Sequence, residues 1–166
     1  KIILENAEKY RRGEESCYGQ ILLASNYAGR AINITKTTAA HAMCYKLTTT
    51  LKIPHGHAVM LCLPEVWEYL CRHLEACVDA RGEQYLHSTL TDLARCLRKE
   101  TCQEAIEYLK NLRNAWQLGM PVGAENLQVA QLVNSVNTER LGNFPVFMSG
   151  EDLTRIYECI LEGTEQ

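Results

Sequence analysis

Residues 39–47 read AAHAMCYKL, and residues 53–58 read IPHGHA. The first run has the spacing of apolar residues that is typical of a helix, whereas Pro54 interrupts that spacing and indicates a turn. A second helix is expected to start at this turn. The resulting helical hairpin is predicted to bring the side chains of His41 and His55 together.

Helical periodicity recurs along the rest of the chain, and the alternation typical of strands is scarce. The chain is therefore predicted to be all-α, a bundle of about seven to nine helices in one domain over residues 1–166. Pro64 lacks a backbone N–H and is predicted to split the apolar stretch 57–76 by opening a new helix. Helices are predicted at 14–34, 37 or 38–51, 65–76, 89–98, 101–118, 126–136 and 152–161, with an irregular segment at 143–147.

Composition argues against several classes of function. The net charge of -3 comes without a cluster of basic residues, so no binding to nucleic acid is expected. The longest apolar run without charge, 58–64, is far shorter than the roughly 20 residues that cross a bilayer, so no membrane span is expected. The eight cysteines include no C-x-x-C pair and lie in helical patterns, which predicts reduced, mostly buried thiols in a cytoplasmic protein.

The two histidines are candidate metal ligands. Neutral imidazole binds both iron and zinc, and a packed helix holds the ring in a fixed orientation. A catalytic metal needs at least three protein ligands and an open position, so His41 and His55 would form only part of a site. From spacing alone, an incidental pair in a non-catalytic interaction module remains an alternative.

The residues around this pair form a longer pattern: ASNYAG at 24–29, AAH at 39–41, PHGHA at 54–58 and LP at 63–64. The pattern resembles the metal-binding part of iron-containing alcohol dehydrogenases, in which the two later ligands are also 14 positions apart. VNTERL at 136–141, followed by NFPV, is similar to that family's closing segment. The resemblance implies the C-terminal helical domain of a dehydroquinate-synthase-like fold.

The resemblance also implies a reaction and its cofactors. His41 and His55 would hold Fe²⁺ or Zn²⁺, and hydride would pass between NAD or NADP and a small aldehyde or alcohol. The sequence TTAAHAMCYKLT at 37–48 most resembles the corresponding segment of phosphonoacetaldehyde reductases. Tyr45 occupies a position where many family members have a further histidine, and Lys46 is predicted, with Lys36 nearby, to meet an anionic substrate group.

Two expected parts of such an enzyme do not occur in the sequence. No Asp-x-x-x-His motif precedes His41, and no Gly-rich phosphate-binding motif is present. We therefore expect an N-terminal dinucleotide-binding domain to be the partner of this chain, which alone is predicted to be inactive, and a homodimer is possible for the parent protein. A dehydroquinate-synthase-like lyase is a further alternative.

The other histidines and the tryptophans are assigned ordinary roles. His57 lies two positions after His55, and residues so spaced on a helix point in different directions. His73 and His87 lie among polar residues and are predicted to be on the surface. Trp67 and Trp116 match apolar positions of helices and are predicted to pack in the core.

Overall fold

The computed structural model describes residues 1–162, and helices account for the regular structure in that range. The prediction of an all-α fold is confirmed. The described residues form no sheet, and Cys77 and Val146 make an isolated antiparallel bridge. The α-helices are α1 (Ile2–Arg11), α2 (Tyr18–Thr35), α3 (Ala39–Leu51), α4 (His55–Arg72), α5 (Glu83–Cys96), α6 (Cys102–Ala115), α7 (Val129–Asn134), α8 (Thr138–Leu141) and α9 (Gly150–Glu162).

Helices α3 and α4 form the centre of the molecule. Three alanines at the start of α3 are buried, and such small side chains let the two helices approach closely. Helix α4 also packs against α6 and α9, while α3 contacts α7 and α8. The fully buried Tyr157 of α9 donates a hydrogen bond from its hydroxyl to the backbone oxygen of Met43, at 2.8 Å.

Pro64 lies inside α4, so the predicted break at this residue is wrong. A proline inside a helix removes one backbone hydrogen bond and costs roughly 3 kcal/mol. The helix continues because its buried face does: Leu61 and Cys62 precede the proline, Val66 and Trp67 follow it, and all four belong to the same core. Burial along one continuous face outweighs the loss of a single hydrogen bond.

Several predicted boundaries shift. Helix α5 begins at Glu83 rather than Thr89, because Gly82, with φ +84, provides the turn that precedes it. The predicted capping box of α6 is confirmed, since Glu104 N–H binds Thr101 Oγ1 at 3.1 Å and the Glu104 carboxylate binds back to Thr101 N–H at 3.2 Å. Helix α6 ends at Ala115, three residues before the predicted end.

The pair α1 and α2 lies against the edge of this bundle. Glu8 accepts a hydrogen bond from Trp116 Nε1 at 3.0 Å, and Glu5 pairs with Arg98 at 3.4 Å. Trp116 is half-buried at the C-terminus of α6, so it joins α1 to the bundle instead of filling the core as predicted. Within residues 1–162, no helix combines the length and the apolar character needed to cross a membrane.

Candidate metal centre

The structure brings the two candidate histidines together. His41 is in the first turn of α3 and His55 is the first residue of α4, and their ring centroids are 5.5 Å apart with an angle of 54° between the planes. The short connection 52–54 joins the two helices, and its first residue, Lys52, has a left-handed backbone with φ 54 that ends α3 and turns the chain toward α4.

The separation of the rings suits a shared metal ion. An imidazole nitrogen lies about 2.1 Å from a bound divalent ion, so two rings that share one ion have centroids roughly 4.5 to 5.5 Å apart. The observed 5.5 Å is at the upper end of that range. Among the described residues, however, no group of three or more His, Cys, Asp or Glu side chains could hold a metal ion. His41 and His55 therefore fit two ligands of a metal ion, which is fewer than a catalytic site needs.

Cys44 indicates which nitrogen of His55 is available. Burial raises the pKa of this thiol to about 11, so it stays protonated at neutral pH. Its S–H donates to the backbone oxygen of His41 at 3.4 Å, and its sulfur lies 3.8 Å from His55 Nδ1. With Cys44 beside Nδ1, Nε2 is the ring nitrogen of His55 that lies away from the thiol and is the one available to a metal ion.

His41 is also held in the form that can bind a metal. Burial lowers the pKa of its imidazole, and the nearby His55 and Arg140 lower it further. A lowered pKa keeps the ring neutral at pH 7, and only the neutral ring has a lone pair to offer.

The two histidines line a cavity of about 580 Å³. The ring of Tyr45 lies 5.5 Å from that of His55 and tilts by 32°, so these two side chains form one wall. The lining residues come from α2, the segment that follows it, α3, α4 and the region of α8: Ile32, Lys36, Thr37, His41, Tyr45, His55, Glu139, Arg140 and Asn143.

Arg140 is a member of this cavity that the sequence analysis did not single out. Its Nε donates to Thr37 Oγ1 at 3.1 Å, and its guanidinium carbon lies 5.0 Å from the centroid of the Tyr45 ring. Asn143 Nδ2 donates to the backbone oxygen of Thr37 at 3.1 Å and fixes the same contact. Thr37 and Arg140 are 103 positions apart, so no local pattern in the sequence could have paired them.

The two predicted substrate-binding residues are separated by the structure. Tyr45 lines the cavity, whereas Lys46 does not, because successive residues of a helix point about 100° apart. Lys36, which was expected only to add positive potential nearby, does line it. The left-handed backbone of Lys36, with φ 64, ends α2 and turns the chain toward the start of α3.

The remaining histidines lie outside this cavity. His57 Nε2 is 2.8 Å from the backbone oxygen of Gly119, so this ring has a hydrogen-bond partner and is turned away from His55. His87 is exposed, as predicted, whereas His73 is half-buried against the ring of Tyr69, at 4.3 Å.

The cysteines and a second cavity offer less chemistry. All eight thiols are free, and three of them are buried, which is fewer than predicted. A second cavity, of about 390 Å³, lies between α4, α5 and α6 and has no charged side chain in its lining.

A family model described as the Fe-containing alcohol dehydrogenase family, C-terminal, matches residues 1–160. A phosphonoacetaldehyde reductase of Streptomyces viridochromogenes is 35% identical over 74 residues, which are 43% of this chain and 18% of that protein. An NADPH-dependent butanol dehydrogenase of Clostridium saccharobutylicum is 24% identical over 174 aligned positions, which cover 99% of this chain and 43% of that protein. The chain thus spans less than half the length of these relatives.

A solved structure shares the fold. The chain matches the crystal structure of the archaeal halo-thermophilic Red Sea brine pool alcohol dehydrogenase ADH/D1 bound to NZQ. The TM-score of this match is 0.73 and the sequence identity is 21%. The match covers 96% of this chain and 41% of that protein. The H277A mutant of the same enzyme matches with a TM-score of 0.72 and covers 89% of this chain.

Proposed function

Because this chain belongs to the Fe-containing alcohol dehydrogenase family, we propose that it is the metal-binding domain of an NAD(P)-dependent alcohol dehydrogenase or aldehyde reductase. The observation that carries the proposal is the pair of adjacent imidazoles of His41 and His55 in a cavity large enough for a small aldehyde. The family match favours this reading over a dehydroquinate-synthase-like lyase and over a non-catalytic interaction module.

Four residues at the candidate centre have proposed roles. His41 and His55 hold Fe²⁺ or Zn²⁺ through a ring nitrogen, and Cys44 lies beside Nδ1 of His55 and leaves Nε2 available to the ion. A bound ion supplies Lewis-acid stabilisation of negative charge at the substrate oxygen. Tyr45 packs beside His55 and limits how the substrate and water approach the reacting carbon. The hydride itself requires a nicotinamide, since no side chain can supply one.

The remaining ligands and the nucleotide site are proposed to lie in another part of a longer protein. The match to the butanol dehydrogenase covers 99% of this chain but 43% of that enzyme, which supports placing the remaining ligands and the nucleotide site in another part of a longer protein. The apolar side chains that α2 exposes support it as well, because a dinucleotide-binding domain, or a second copy in a homodimer, could cover them. This chain alone is expected to be inactive.

The relatives suggest the finer details of the reaction. One of them is an NADPH-dependent enzyme that acts on butanol, and another is a reductase of phosphonoacetaldehyde. NADPH is therefore the first cofactor to test, with NADH as the alternative, and phosphonoacetaldehyde is the first substrate. Free cysteines are typical of a reducing compartment, so we place the protein in the cytoplasm.

The proposal is tested in the full-length protein that carries this chain. His41→Ala and His55→Ala are each expected to abolish metal retention, measured by elemental analysis, and aldehyde-dependent oxidation of NADPH. His87→Ala, which changes an exposed histidine on α5, serves as the matched control and should keep both. Full metal content in either of the first two variants would refute the ligand assignment.

A further inference from the structure

We propose that Arg140, assisted by Lys36, forms a subsite that binds the anionic group of the substrate, a phosphonate, phosphate or carboxylate on a small aldehyde. The inference rests on the proposed function, because it adds a substrate class to the same cavity. Both cations line the cavity that contains His41 and His55. An aldehyde held by its anionic end at Arg140 would therefore have its carbonyl directed toward the histidines.

The guanidinium of Arg140 is held in place before any ligand binds. The backbone N–H of Arg140 binds Asn137 Oδ1 at 2.9 Å, which caps the short helix α8. Nε is engaged by Thr37 Oγ1, and the guanidinium lies over the ring of Tyr45. The guanidinium thus has two contacts of its own and is carried by a capped backbone, so it loses little conformational freedom when it binds an anion.

The two terminal amino groups of Arg140 remain as hydrogen-bond donors. Among residues 1–162, neither Arg140 nor Lys36 takes part in an ion pair, and the terminal amino groups of Arg140 have no hydrogen-bond partner. Arg113, the buried arginine of α6, shows the contrast, because it pairs with Glu65 at 3.6 Å. Two parallel N–H groups match the spacing of two oxygens on a phosphonate or carboxylate.

The charge of the lining favours an anion. Lys36 and Arg140 share this lining with one carboxylate, that of the exposed Glu139. The lining therefore carries an excess of positive charge before a metal ion adds more. A neutral aldehyde gains nothing from this charge, whereas an anionic aldehyde is attracted to it and oriented by it.

A phosphate of the nucleotide could provide the same oxyanion, and kinetics separate the two sources. In the full-length protein, Arg140→Gln is expected to lower kcat/KM for phosphonoacetaldehyde roughly 10- to 100-fold, the range for loss of a charged hydrogen bond. The ratio of kcat/KM for phosphonoacetaldehyde to that for butanal should fall about tenfold or more, because an uncharged aldehyde makes no such bond to lose. The KM for NADPH should stay unchanged. A raised KM for NADPH with unchanged selectivity between the aldehydes would overturn the proposal.

Arg140→Lys and Arg95→Gln complete the kinetic series. Lysine keeps the charge but loses the paired donors, so a partial loss of selectivity is expected. Arg95 lies on α5, is 65% exposed and pairs with Asp92, so Arg95→Gln makes the same chemical change away from the cavity and should keep the wild-type selectivity. Equal losses in Arg95→Gln and Arg140→Gln would show a nonspecific effect of charge and overturn the proposal.

A binding measurement needs neither metal nor hydride transfer. Methylphosphonate is titrated into the 166-residue chain and followed by nuclear magnetic resonance, with weak binding expected for the wild type and for Arg95→Gln, and at least about tenfold weaker binding for Arg140→Gln. Equal binding by all three, or none by any, would overturn the subsite. The two proposals can fail separately. If methylphosphonate binding depends on Arg140 but the full-length protein reduces no aldehyde, the proposed function is refuted and the anion subsite is supported.

Discussion

Helices α2 and α4 have the same length and nearly the same apolar content, yet they differ in burial. Each has 18 residues, of which 10 in α2 and 11 in α4 are apolar. Seven residues of α4 are buried, whereas in α2 Ala24 alone is buried and Leu22 and Ile34 are 73% and 81% exposed. Composition therefore does not decide which apolar residues form the core.

The difference lies in what surrounds each helix. Helix α4 is in contact with α3, α6 and α9, so its apolar face is covered on several sides. Helix α2 packs mainly on α1, which has no buried residue of its own. The small residues Ala28 and Ala31, which would let another helix approach closely, are exposed in the described part of the chain. An apolar helix needs a partner that covers it. Other helices cover α4, whereas the described part of the chain leaves most of the apolar side chains of α2 exposed.

The sharpest test of this comparison removes one leucine from each helix. Leu61→Ala in α4 deletes a fully buried side chain and is expected to lower the free energy of unfolding by about 2–5 kcal/mol. Leu22→Ala in α2 should change it by less than about 0.5 kcal/mol, because that side chain is already in water. Urea denaturation followed by circular dichroism measures both. Similar losses in the two variants would mean that α2 is buried in solution.

A smaller effect is expected from a buried hydroxyl. Tyr157→Phe removes the hydrogen bond from α9 to the backbone of α3 and should cost about 1–2 kcal/mol. Tyr27→Phe makes the same change on α2, where the ring is 51% exposed, and should cost less than about 0.5 kcal/mol. A loss in Tyr27→Phe as large as that in Tyr157→Phe, measured in the same urea experiment, would argue against the contrast between the helices.

The ion pairs of the bundle predict a dependence on pH. The hydrogen bond from Lys110 at 2.8 Å lowers the pKa of Glu68, although burial opposes the shift. Because the pKa is lower in the folded state, the stabilisation is present above the unfolded pKa of about 4.3 and is lost as pH falls through the folded pKa. Glu68→Gln should therefore lower the free energy of unfolding, measured by urea denaturation, more at pH 7 than at pH 3, with a difference of less than about 1 kcal/mol.

Glu15, which is exposed just before α2, provides the control for that experiment. Its carboxylate forms no ion pair within residues 1–162, so Glu15→Gln should not alter the pH dependence. A difference between the wild type and Glu68→Gln that is constant from pH 7 to pH 3 would contradict the role of the charge.

Changes to the exposed apolar side chains of α2 are expected to affect association strongly and to have the smallest effect on the free energy of unfolding. Leu22→Glu combined with Ile34→Glu places two charges on the exposed apolar face of α2 and should shift the chain toward the monomer in sedimentation velocity. The free energy of unfolding should stay within about 0.5 kcal/mol of the wild-type value. Val122→Glu, at a fully exposed single apolar residue, should change neither quantity. Unaltered association in the double variant would show that α2 does not mediate it.

Much of the fold could be predicted from local patterns. The capping box at Thr101 and the helix around His41 both follow from residues within a few positions of one another. Helix α5 starts six residues before the start that its local pattern predicts. Pro64 predicts a break when only its neighbours are considered, yet α4 runs through it. The burial that keeps α4 continuous depends on three other helices, which a local reading cannot evaluate.

The candidate site was predicted in part. His41, Tyr45 and His55 lie together because one short connection joins their helices. No local signal marks Arg140, because its contact with Thr37 spans 103 positions. The prediction for Lys46 rests on its position after Tyr45, one turn beyond His41, and the structure leaves Lys46 out of the cavity lining. Proximity along a helix does not place two side chains on the same face.

The sequence by itself determined the helical class of the protein, the family to which it belongs and the histidine pair. Helical hydrogen bonds join residues four positions apart, and the family motifs are short runs of neighbouring residues, so both can be recognised locally. Tertiary structure alone decided that α4 runs through Pro64, that Arg140 enters the cavity of His41 and that α2 leaves its apolar face exposed. These outcomes depend on contacts between distant segments, and burial is a property of the surroundings of a residue, not of the residue itself.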